Sequence, residues 1–305
     1  MKPALNRENI LAVNLNKFII VVWLTVSFIS FTNEHSSILI GALGDSDNYM
    51  RLYQVLSFLE EPQLRQSPLE RFNPEDGRIL HWSRLVDLPI AGVLWLSNHL
   101  MNQNLSIAVT VFIVPSFYFL LLICSISQLT KSLFGVNVAY LSVMCAPFSI
   151  AYAKFAPGYI DHHNLQLILF ALFLGRLPVN KLQCRSALKE GCISGSIVAL
   201  SVLIGLEGIP GYFFAMLLTL YFLSLQKGRN YTWKYLASVG LSFSCIGMIG
   251  LSILEPLEAI ISPHYDTASF PLFLLSFLVG LSFLLNVNTC SLTKTDLLQS
   301  DWTLN

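Results

Sequence analysis

Long apolar runs alternate with short polar segments along almost the whole chain. Most of these runs come near the roughly 20 residues that a helix needs to cross the hydrocarbon core of a bilayer. The pattern therefore predicts an all-α protein, a polytopic transmembrane helix bundle. The apolar runs cover residues 17–33, 86–100, 106–129, 134–152, 164–178, 192–206, 211–226, 235–254 and 270–287.

The positions of lysine and arginine indicate which runs cross the membrane, because cytoplasmic loops carry an excess of these residues. Basic residues near the start of the chain place residues 1–16 in the cytoplasm. If every run crossed, the basic loops around Arg185 and Arg229 would both lie outside. If the short run 86–100 instead lies in the interface or re-enters the membrane, both loops lie inside. The sequence thus predicts about eight spans with both ends cytoplasmic.

This topology predicts a transmembrane module over residues 17–290, with external loops at 34–105 and 153–163. The first external loop is long, partly re-entrant, and carries nine of the eighteen acidic residues of the chain. Residues 291–305 form a short polar tail, and the first apolar run is expected to stay as an anchor. We expect the protein in the cell inner membrane, with its active site on the external, periplasmic side.

The composition agrees with this class, because 54% of the residues are hydrophobic, only 12% are charged, and the mean hydropathy is +0.62. A soluble domain carries about twice that share of charged residues. The net charge is zero, which gives no basic field for a nucleic acid partner. The six cysteines form no C-x-x-C pair, so we interpret them as buried apolar residues and not as a zinc site.

The first candidate chemical feature is an acidic motif, Gly44–Arg51, that follows the first apolar run. Asp45 and Asp47 stand at the start of a predicted amphipathic helix, where an aspartate is a good N-cap. Capping requires one of these aspartates and leaves the other unexplained. Either one therefore remains a candidate metal ligand or general base.

The second acidic motif, Pro157–Asn164, lies in the second predicted external loop. Its proline and glycine end one helix, and an apolar run follows it. Asp161 or Asn164 suits the cap of the next helix. Capping does not account for two histidines beside an aspartate, whereas Asp161 and His163 together suit one divalent cation that also binds a phosphate. Because both motifs lie outside, their carboxylates are predicted to meet over one metal ion.

On these residues the chain resembles the GT-C class of membrane glycosyltransferases, most nearly the transmembrane module of the oligosaccharyltransferase catalytic subunit. That family has an aspartate shortly after the first span, separated by five residues from an arginine, as Asp45 is from Arg51. It also has a D-x-D, D-x-E or D-x-H motif in an external loop two spans later, as at Asp161–His163. The long first external loop is the third shared feature.

The resemblance implies a metal-dependent enzyme that moves a sugar or oligosaccharide from a polyprenyl phosphate or diphosphate to an acceptor. It makes Mn²⁺ or Mg²⁺ the cofactor and a lipid-linked sugar the donor, in contact with membrane lipid, with a glycan, lipid or protein as acceptor. It also implies that Arg51 and His162 contact the phosphate or support the ligands. Asp45, Asp47 and Arg51 are thus the implied catalytic residues, and the implied metal ligands are Asp45, Asp47, Asp161 and His163.

Three further residues are candidates for substrate binding. Arg84 suits a phosphate, and His81 stands beside Trp82, which suits a sugar ring; an ordinary interfacial belt explains these residues equally well. Glu207 follows an apolar run at a predicted external end, where an acid facing lipid is costly. It is either a site residue or part of a solvated helix break.

Two alternative functions stay open at the level of sequence. A transporter or flippase of surface-glycan precursors also uses acids and histidines within a membrane bundle. Such proteins carry charge near the middle of their spans, whereas these acids lie at span ends. The family resembled here also carries a soluble C-terminal domain with a W-W-D motif. The sequence has no such motif, so a shortened, inactive copy is the other alternative.

Overall fold

A computed structural model describes residues 7–65, 83–177, 186–226, 229–255, 260 and 268–300. Every regular element in these residues is helical, as the apolar pattern predicts. The chain divides into two compact units, Met1–Gly175 and Arg176–Asn305. Both candidate acidic motifs lie in the first unit.

The first unit consists of α-helices joined by short turns. α4 ends at Gly135, whose φ of 92° lies in the left-handed region that favours glycine. α5 ends at Cys145 and continues as two 3₁₀ turns, because Pro147 lacks the N–H that would extend the helix. The helices are α1 (Arg7–Leu39), α2 (Ser46–Glu60), α3 (Arg84–Asn98), α4 (Gln103–Phe134), α5 (Val136–Cys145) and α6 (His163–Arg176), with 3₁₀ turns at Ala146–Phe148 and Ile150–Phe155.

Polar side chains join α1 to its neighbours. The Trp23 indole N–H donates to the Ser116 carbonyl of α4 at 2.8 Å, and the Ser27 and Ser116 hydroxyls lie 2.7 Å apart. The Ser30 hydroxyl pairs with the Tyr152 hydroxyl at 2.6 Å. Within a bilayer such groups have no water to bind, so these pairs fix the position of α1 on the bundle.

The second unit packs through small residues. Its helices are α7 (Ala187–Ile204), α8 (Ile209–Gln226), α9 (Arg229–Leu254) and α10 (Phe270–Ser300). A methyl group added at Gly195 of α7 would lie 2.3 Å from the Val239 carbonyl of α9, and one at Gly240 of α9 would lie 2.9 Å from Gly280 of α10. Glycine at these positions lets the helix backbones approach closely, as in many membrane bundles.

Five of the described helical segments are long and apolar enough to cross a membrane. They correspond to α1, α4, α7, α9 and α10, and they indicate a membrane protein. The predicted spans at α5, α6 and α8 form shorter helices, and α5 is broken by its 3₁₀ turns. The crossing segments are Asn14–Leu39, Gln103–Phe134, Ala187–Ile204, Asn230–Leu254 and Phe270–Val287.

The run 86–100, which the charge pattern excludes from the spans, forms the 15-residue helix α3. Its apolar side packs inward, with Val86, Ile90 and Leu94 completely buried. α3 lies against α2 and α4 and thereby brings the end of the segment predicted as the first external loop back to the first motif. Within the predicted polar tail, α10 continues to Ser300, and residues 301–305 lie outside the described residues.

Candidate functional site

The second acidic motif lies in the turn between the 3₁₀ segment and α6. Gly158 has a φ of +86°, and its N–H donates to the Val111 carbonyl of α4 at 2.9 Å. Only glycine adopts this backbone conformation readily, so the turn needs glycine at this position. Asp161 and His162 are buried, while the side chain of His163 is 35% exposed. The motif therefore presents one open histidine beside two enclosed residues.

Asp161, His162 and His163 form one cluster, here called the Asp161 cluster. One ligand atom from each residue lies within 4.8 Å of the others. The His162 Nδ1 lies 2.6 Å from Asp161 Oδ1, and the His163 Nε2 lies 3.6 Å from Asp161 Oδ2. The predicted pair of Asp161 and His163 is thus together in the structure, with His162 as a third member.

The carboxyl of Asp161 is held in its ionised form. Burial alone would raise its pKa, but the hydrogen bond and charge of His162 and the charge of Arg51 lower this pKa below the ordinary aspartate range. An ionised carboxylate beside two imidazoles is a suitable donor set for a divalent cation.

In the first acidic motif, Asp45 is the N-cap of α2. Its Oδ1 accepts hydrogen bonds from the backbone N–H groups of Asp47 and Asn48 at 3.1 and 3.2 Å, and from the Asn48 side-chain amide at 2.6 Å. All three of these bonds end on the same oxygen, and none of them ends on Oδ2. Asp45 is exposed and Asp47 is half-buried in the first turn of α2.

The two acidic motifs are in direct contact. The Asn48 Oδ1 accepts hydrogen bonds from the backbone N–H groups of Ile160 and Asp161 at 2.7 and 3.0 Å. Gly44 packs beneath the Tyr159 ring, so close that an added methyl group would overlap it at 2.4 Å. The two motifs therefore contact each other through Asn48 and Arg51. The predicted meeting of their carboxylates over one metal ion stays a prediction.

Arg51 forms the ionic connection between the motifs. Its side chain is completely buried, with Nη1 3.0 Å from Asp87 Oδ1 and Nη2 3.3 Å from Asp161 Oδ1. Nη1 also donates to the Ser83 carbonyl at 3.4 Å. In this arrangement the guanidinium faces the carboxylates of Asp87 and Asp161.

Arg84, a predicted phosphate contact, is also buried. Its Nη1 lies 3.2 Å from Asp87 Oδ2 and donates to the Gln54 carbonyl at 3.1 Å, and its guanidinium carbon lies 5.5 Å from the Phe58 ring centroid. Asp87 therefore binds one arginine with each carboxylate oxygen. Burial raises the pKa of Asp87, and the two guanidiniums oppose this rise by favouring the ionised form.

The donor atoms of the Asp161 cluster fit Mn²⁺ better than Mg²⁺. Two imidazole nitrogens accompany a single carboxylate, and Mg²⁺ prefers a shell made only of oxygen, whereas Mn²⁺ and other first-row metals accept nitrogen. Asp161 Oδ2 receives neither the Arg51 nor the His162 bond, which both end on Oδ1. The other carboxylate oxygen, Oδ2, faces His163 Nε2 at 3.6 Å.

The remaining predicted site residues are not part of the Asp161 cluster or lie outside the described residues. Asp45 and Asp47 are not members of the Asp161 cluster. His81 and Trp82 lie outside the described residues. Glu207 is exposed, between α7 and α8 of the second unit, and its role in substrate binding stays a prediction.

Two central residues of the site, Asn48 and Asp87, do not stand out in the sequence. Asn48 lies one helical turn before Arg51, so the two share a face of α2. Asp87 is an acid inside an apolar run and lies three residues after Arg84, which is the spacing of a helical ion pair. An unpaired acid is costly to bury, so an aspartate inside an apolar run indicates that Asp87 has a partner.

A groove of about 550 Å³ runs between α1 and the broken end of α5. The part of α1 that lines it extends from Phe18 to Glu34, which corresponds to about 24 Å of helix. The lining is mainly apolar, with Asn33 and Glu34 in the last two turns of α1. Pro157 of the second acidic motif also lines the groove, so it connects the apolar part of the unit with the loop that carries Asp161.

The fold is similar to solved structures of an archaeal oligosaccharyltransferase. The apo crystal structure of the Archaeoglobus fulgidus enzyme aligns with a TM-score of 0.63 and 14% identity, over 91% of this chain and 34% of that one. The crystal structure of the same enzyme tethered to an acceptor peptide containing the NVT sequon gives a TM-score of 0.61 and 14% identity, over 92% and 35%. AglB from A. fulgidus in complex with an inhibitory peptide and a dolichol-phosphate gives 0.58 and 14%, over 87% and 32%.

These similarities confirm, at the level of the fold, the resemblance inferred from the two acidic motifs. The chain spans about a third of the length of the structures it matches. No family model matches the sequence. No curated protein matches it either.

Proposed function

We propose that this protein transfers a sugar or oligosaccharide from a polyprenyl phosphate or diphosphate donor to an acceptor at the external membrane face, with Mn²⁺ or Mg²⁺ as cofactor. The observation that carries the proposal is the contact between the two acidic motifs, through Asn48 and Arg51. The similarity of the fold to an oligosaccharyltransferase supports the same class of reaction.

The Asp161 cluster is the proposed metal site. Asp161, His162 and His163 would hold the cation, with Asp45 or Asp47 as a further ligand or as the base that takes the acceptor proton. A bound cation at this point supplies positive charge for the phosphate that departs from the sugar. Arg51 keeps Asp161 ionised and oriented, so its contribution to the donor phosphate acts through that carboxylate.

The groove beside α1 suits the lipid part of the donor. Its apolar length is comparable to a bilayer leaflet, and Pro157 connects it with the loop that carries Asp161. A polyprenyl chain in the groove would keep the attached phosphate near the external surface. Structures of the related fold contain dolichol-phosphate and acceptor peptide, so these are the first donor and acceptor classes to test.

We also propose the topology on which this placement depends. Eight spans, made by α1 and by α4 to α10, put both chain ends in the cytoplasm and both acidic motifs outside. α3 then lies at the membrane surface or re-enters it. For a bacterial protein this places the site at the periplasmic face of the inner membrane.

Transfer of radiolabelled sugar from polyprenyl phosphate and diphosphate donors tests the reaction. The purified full chain is assayed with peptide, glycan and lipid acceptors, in Mn²⁺, Mg²⁺ or EDTA. We expect transfer that EDTA abolishes and that Asp161→Asn lowers at least 100-fold. Glu60→Gln, an exposed acid at the end of α2, is the matched control and should leave the rate unchanged. Transfer that is insensitive to both EDTA and Asp161→Asn would exclude the metal-dependent mechanism.

Cysteine labelling tests the topology in a background from which the native cysteines have been removed. Ala153→Cys lies near the second acidic motif and should react with an impermeant maleimide added outside. Lys189→Cys, in the first turn of α7, should react only after the membrane is opened. The reverse pattern would mean that the run 86–100 crosses the membrane.

A further inference from the structure

Asp87 lies at the centre of a buried charge network that joins both acidic motifs, although Asp87 itself belongs to neither motif. It comes from α3, is completely buried, and binds Arg51 of α2 through Oδ1 at 3.0 Å and Arg84 of its own helix through Oδ2 at 3.2 Å. Its bonds to Arg51 and Arg84 connect it to the Asp161 cluster through Arg51, which also binds Asp161. Its effect on that cluster therefore passes through Arg51.

The network is balanced in charge. Two guanidiniums, from Arg51 and Arg84, face two carboxylates, from Asp87 and Asp161, and all four side chains are buried or nearly so. In such an environment a charge that loses its partner is costly, unless another opposite charge lies close enough to pair with it. For Arg51 that charge is Asp161, 3.3 Å away.

Arg51 is shared unequally between the two carboxylates. Its bond to Asp87 is 3.0 Å long and its bond to Asp161 is 3.3 Å long. The carbonyl of Ser83 also accepts from the nitrogen that binds Asp87, so α3 supplies two of the groups that hold the guanidinium. The Arg51 nitrogen that lies near Asp161 is Nη2.

We infer that Asp87 is a positioning residue that sets the cation affinity of the Asp161 cluster by holding Arg51 partly away from Asp161. This inference rests on the proposed metal site and identifies Asp87 as a residue that controls the cation affinity of that site. With Asp87 in place, the charge of Arg51 is divided between Asp87 and Asp161, so less of it opposes cation binding at Asp161. Without the Asp87 carboxylate, Arg51 binds Asp161 more fully and competes with the cation for it.

Substitutions of Asp87 and of Arg84 are expected to change the cation affinity in opposite directions. Asp87→Asn removes a negative charge and strengthens the Arg51–Asp161 pair, so cation binding weakens. Arg84→Met removes the competing guanidinium and leaves Asp87 to Arg51 alone, so cation binding becomes tighter. Methionine keeps an apolar contact for Phe58, which Arg84 covers in the native protein. A purely structural role for the network predicts no such reversal of sign.

Mn²⁺ binding to the purified full chain in detergent provides the test, because the electron paramagnetic resonance signal of free Mn²⁺ falls as the ion binds. We expect Asp87→Asn to raise the Kd about 10-fold or more, as is typical for residues that support metal ligands. Asp87→Glu should restore part of the affinity, and Arg84→Met should lower the Kd several-fold. Glu60→Gln is again the control and should bind as the native protein does. Melting temperatures identify any variant that fails to fold. If Asp87→Asn does not fold, the Kd of Arg84→Met tests the inference.

The outcomes separate this inference from the proposed reaction. If the native protein binds Mn²⁺ but Asp87→Asn and Arg84→Met bind it equally well, the inference is wrong and glycosyl transfer is unaffected. If the variants shift the Kd in opposite directions but no sugar is transferred, the inference holds and the proposed reaction is wrong. If the native protein binds no Mn²⁺, the inference is overturned, and the transfer assay decides the reaction by itself.

Discussion

The side-chain oxygen of Asn48 accepts a hydrogen bond from the backbone N–H of Asp161 at 3.0 Å, across 113 residues of sequence. The same oxygen binds the N–H of Ile160, while the Asn48 amide nitrogen donates to Asp45. One completely buried amide thus connects the N-cap of α2 to the turn that carries the Asp161 cluster. Asparagine suits this position because its side chain both donates and accepts.

Asn48→Ala tests this connection. Two buried N–H groups lose their acceptor, and each such loss costs about 1 to 3 kcal/mol. We expect unfolding free energy to fall by about 2 to 4 kcal/mol, measured as a lower thermal midpoint in detergent. Asn98→Ala, an exposed change at the end of α3, should leave the midpoint nearly unchanged. Equal midpoints for the two variants would contradict the role given to Asn48.

Gly44→Ala tests the close packing of the two motifs. The added methyl group would overlap the Tyr159 ring at 2.4 Å, so the ring or the loop must move. We expect a loss of about 1 to 3 kcal/mol, as for other overpacked sites, together with weaker Mn²⁺ binding. Gly92→Ala in α3 is the matched control, because its methyl group would meet nothing within 4 Å and alanine favours the helix. A Gly44→Ala protein as stable as Gly92→Ala would show that the contact is unimportant.

Arg51→Met tests the ionic connection. Removing one partner from a buried ion network leaves uncompensated carboxylates at Asp87 and Asp161 and costs about 3 to 5 kcal/mol. Thermal unfolding of the purified protein measures this loss. The exposed Arg65 offers a control, and Arg65→Met should change stability by less than about 0.5 kcal/mol. Similar, small losses of stability in Arg51→Met and Arg65→Met would contradict the ionic connection.

His163→Ala tests the open member of the Asp161 cluster. Because its side chain is partly exposed, its loss should lower Mn²⁺ affinity at least 10-fold with little change in stability. Mn²⁺ titration and thermal unfolding measure the two effects separately. His35→Ala, at the exposed end of α1, should bind Mn²⁺ normally. Normal Mn²⁺ binding by His163→Ala would remove His163 from the proposed ligands.

Val22→Trp tests the groove as a site for the donor lipid. The indole would fill part of the apolar lining beside α1, so KM for a long-chain polyprenyl donor should rise several-fold, with little change for a short-chain donor. Val279→Trp places the same side chain on an exposed face of α10 and serves as the control. An equal change for long and short donors would show that the groove does not hold the chain.

Local pattern was sufficient to predict most of the helices and the position of both motifs. α1, α4 and α9 follow from apolar length. The run 134–152 was predicted as one span, whereas α5 ends at Cys145 and 3₁₀ turns follow it. The charge pattern singled out the run that becomes α3, a helix of 15 residues. The number of spans stays a prediction, because α5 and α6, with 10 and 14 residues, are shorter than a bilayer requires, and α8 is not among the five crossing segments.

The sequence by itself determined that the chain is a helical membrane protein with two acidic motifs at the ends of apolar segments, because helix length and polar interruptions are local properties. Only the tertiary structure decided that Asp45 caps α2, that Asn48 and Arg51 join the motifs, and that Asp87 pairs with both arginines. Such pairs depend on which helix faces come together after packing, and the residues involved, such as Arg51 and Asp161, lie 110 positions apart. Burial then decides their chemistry, since a buried charge must find a partner that sequence spacing does not reveal.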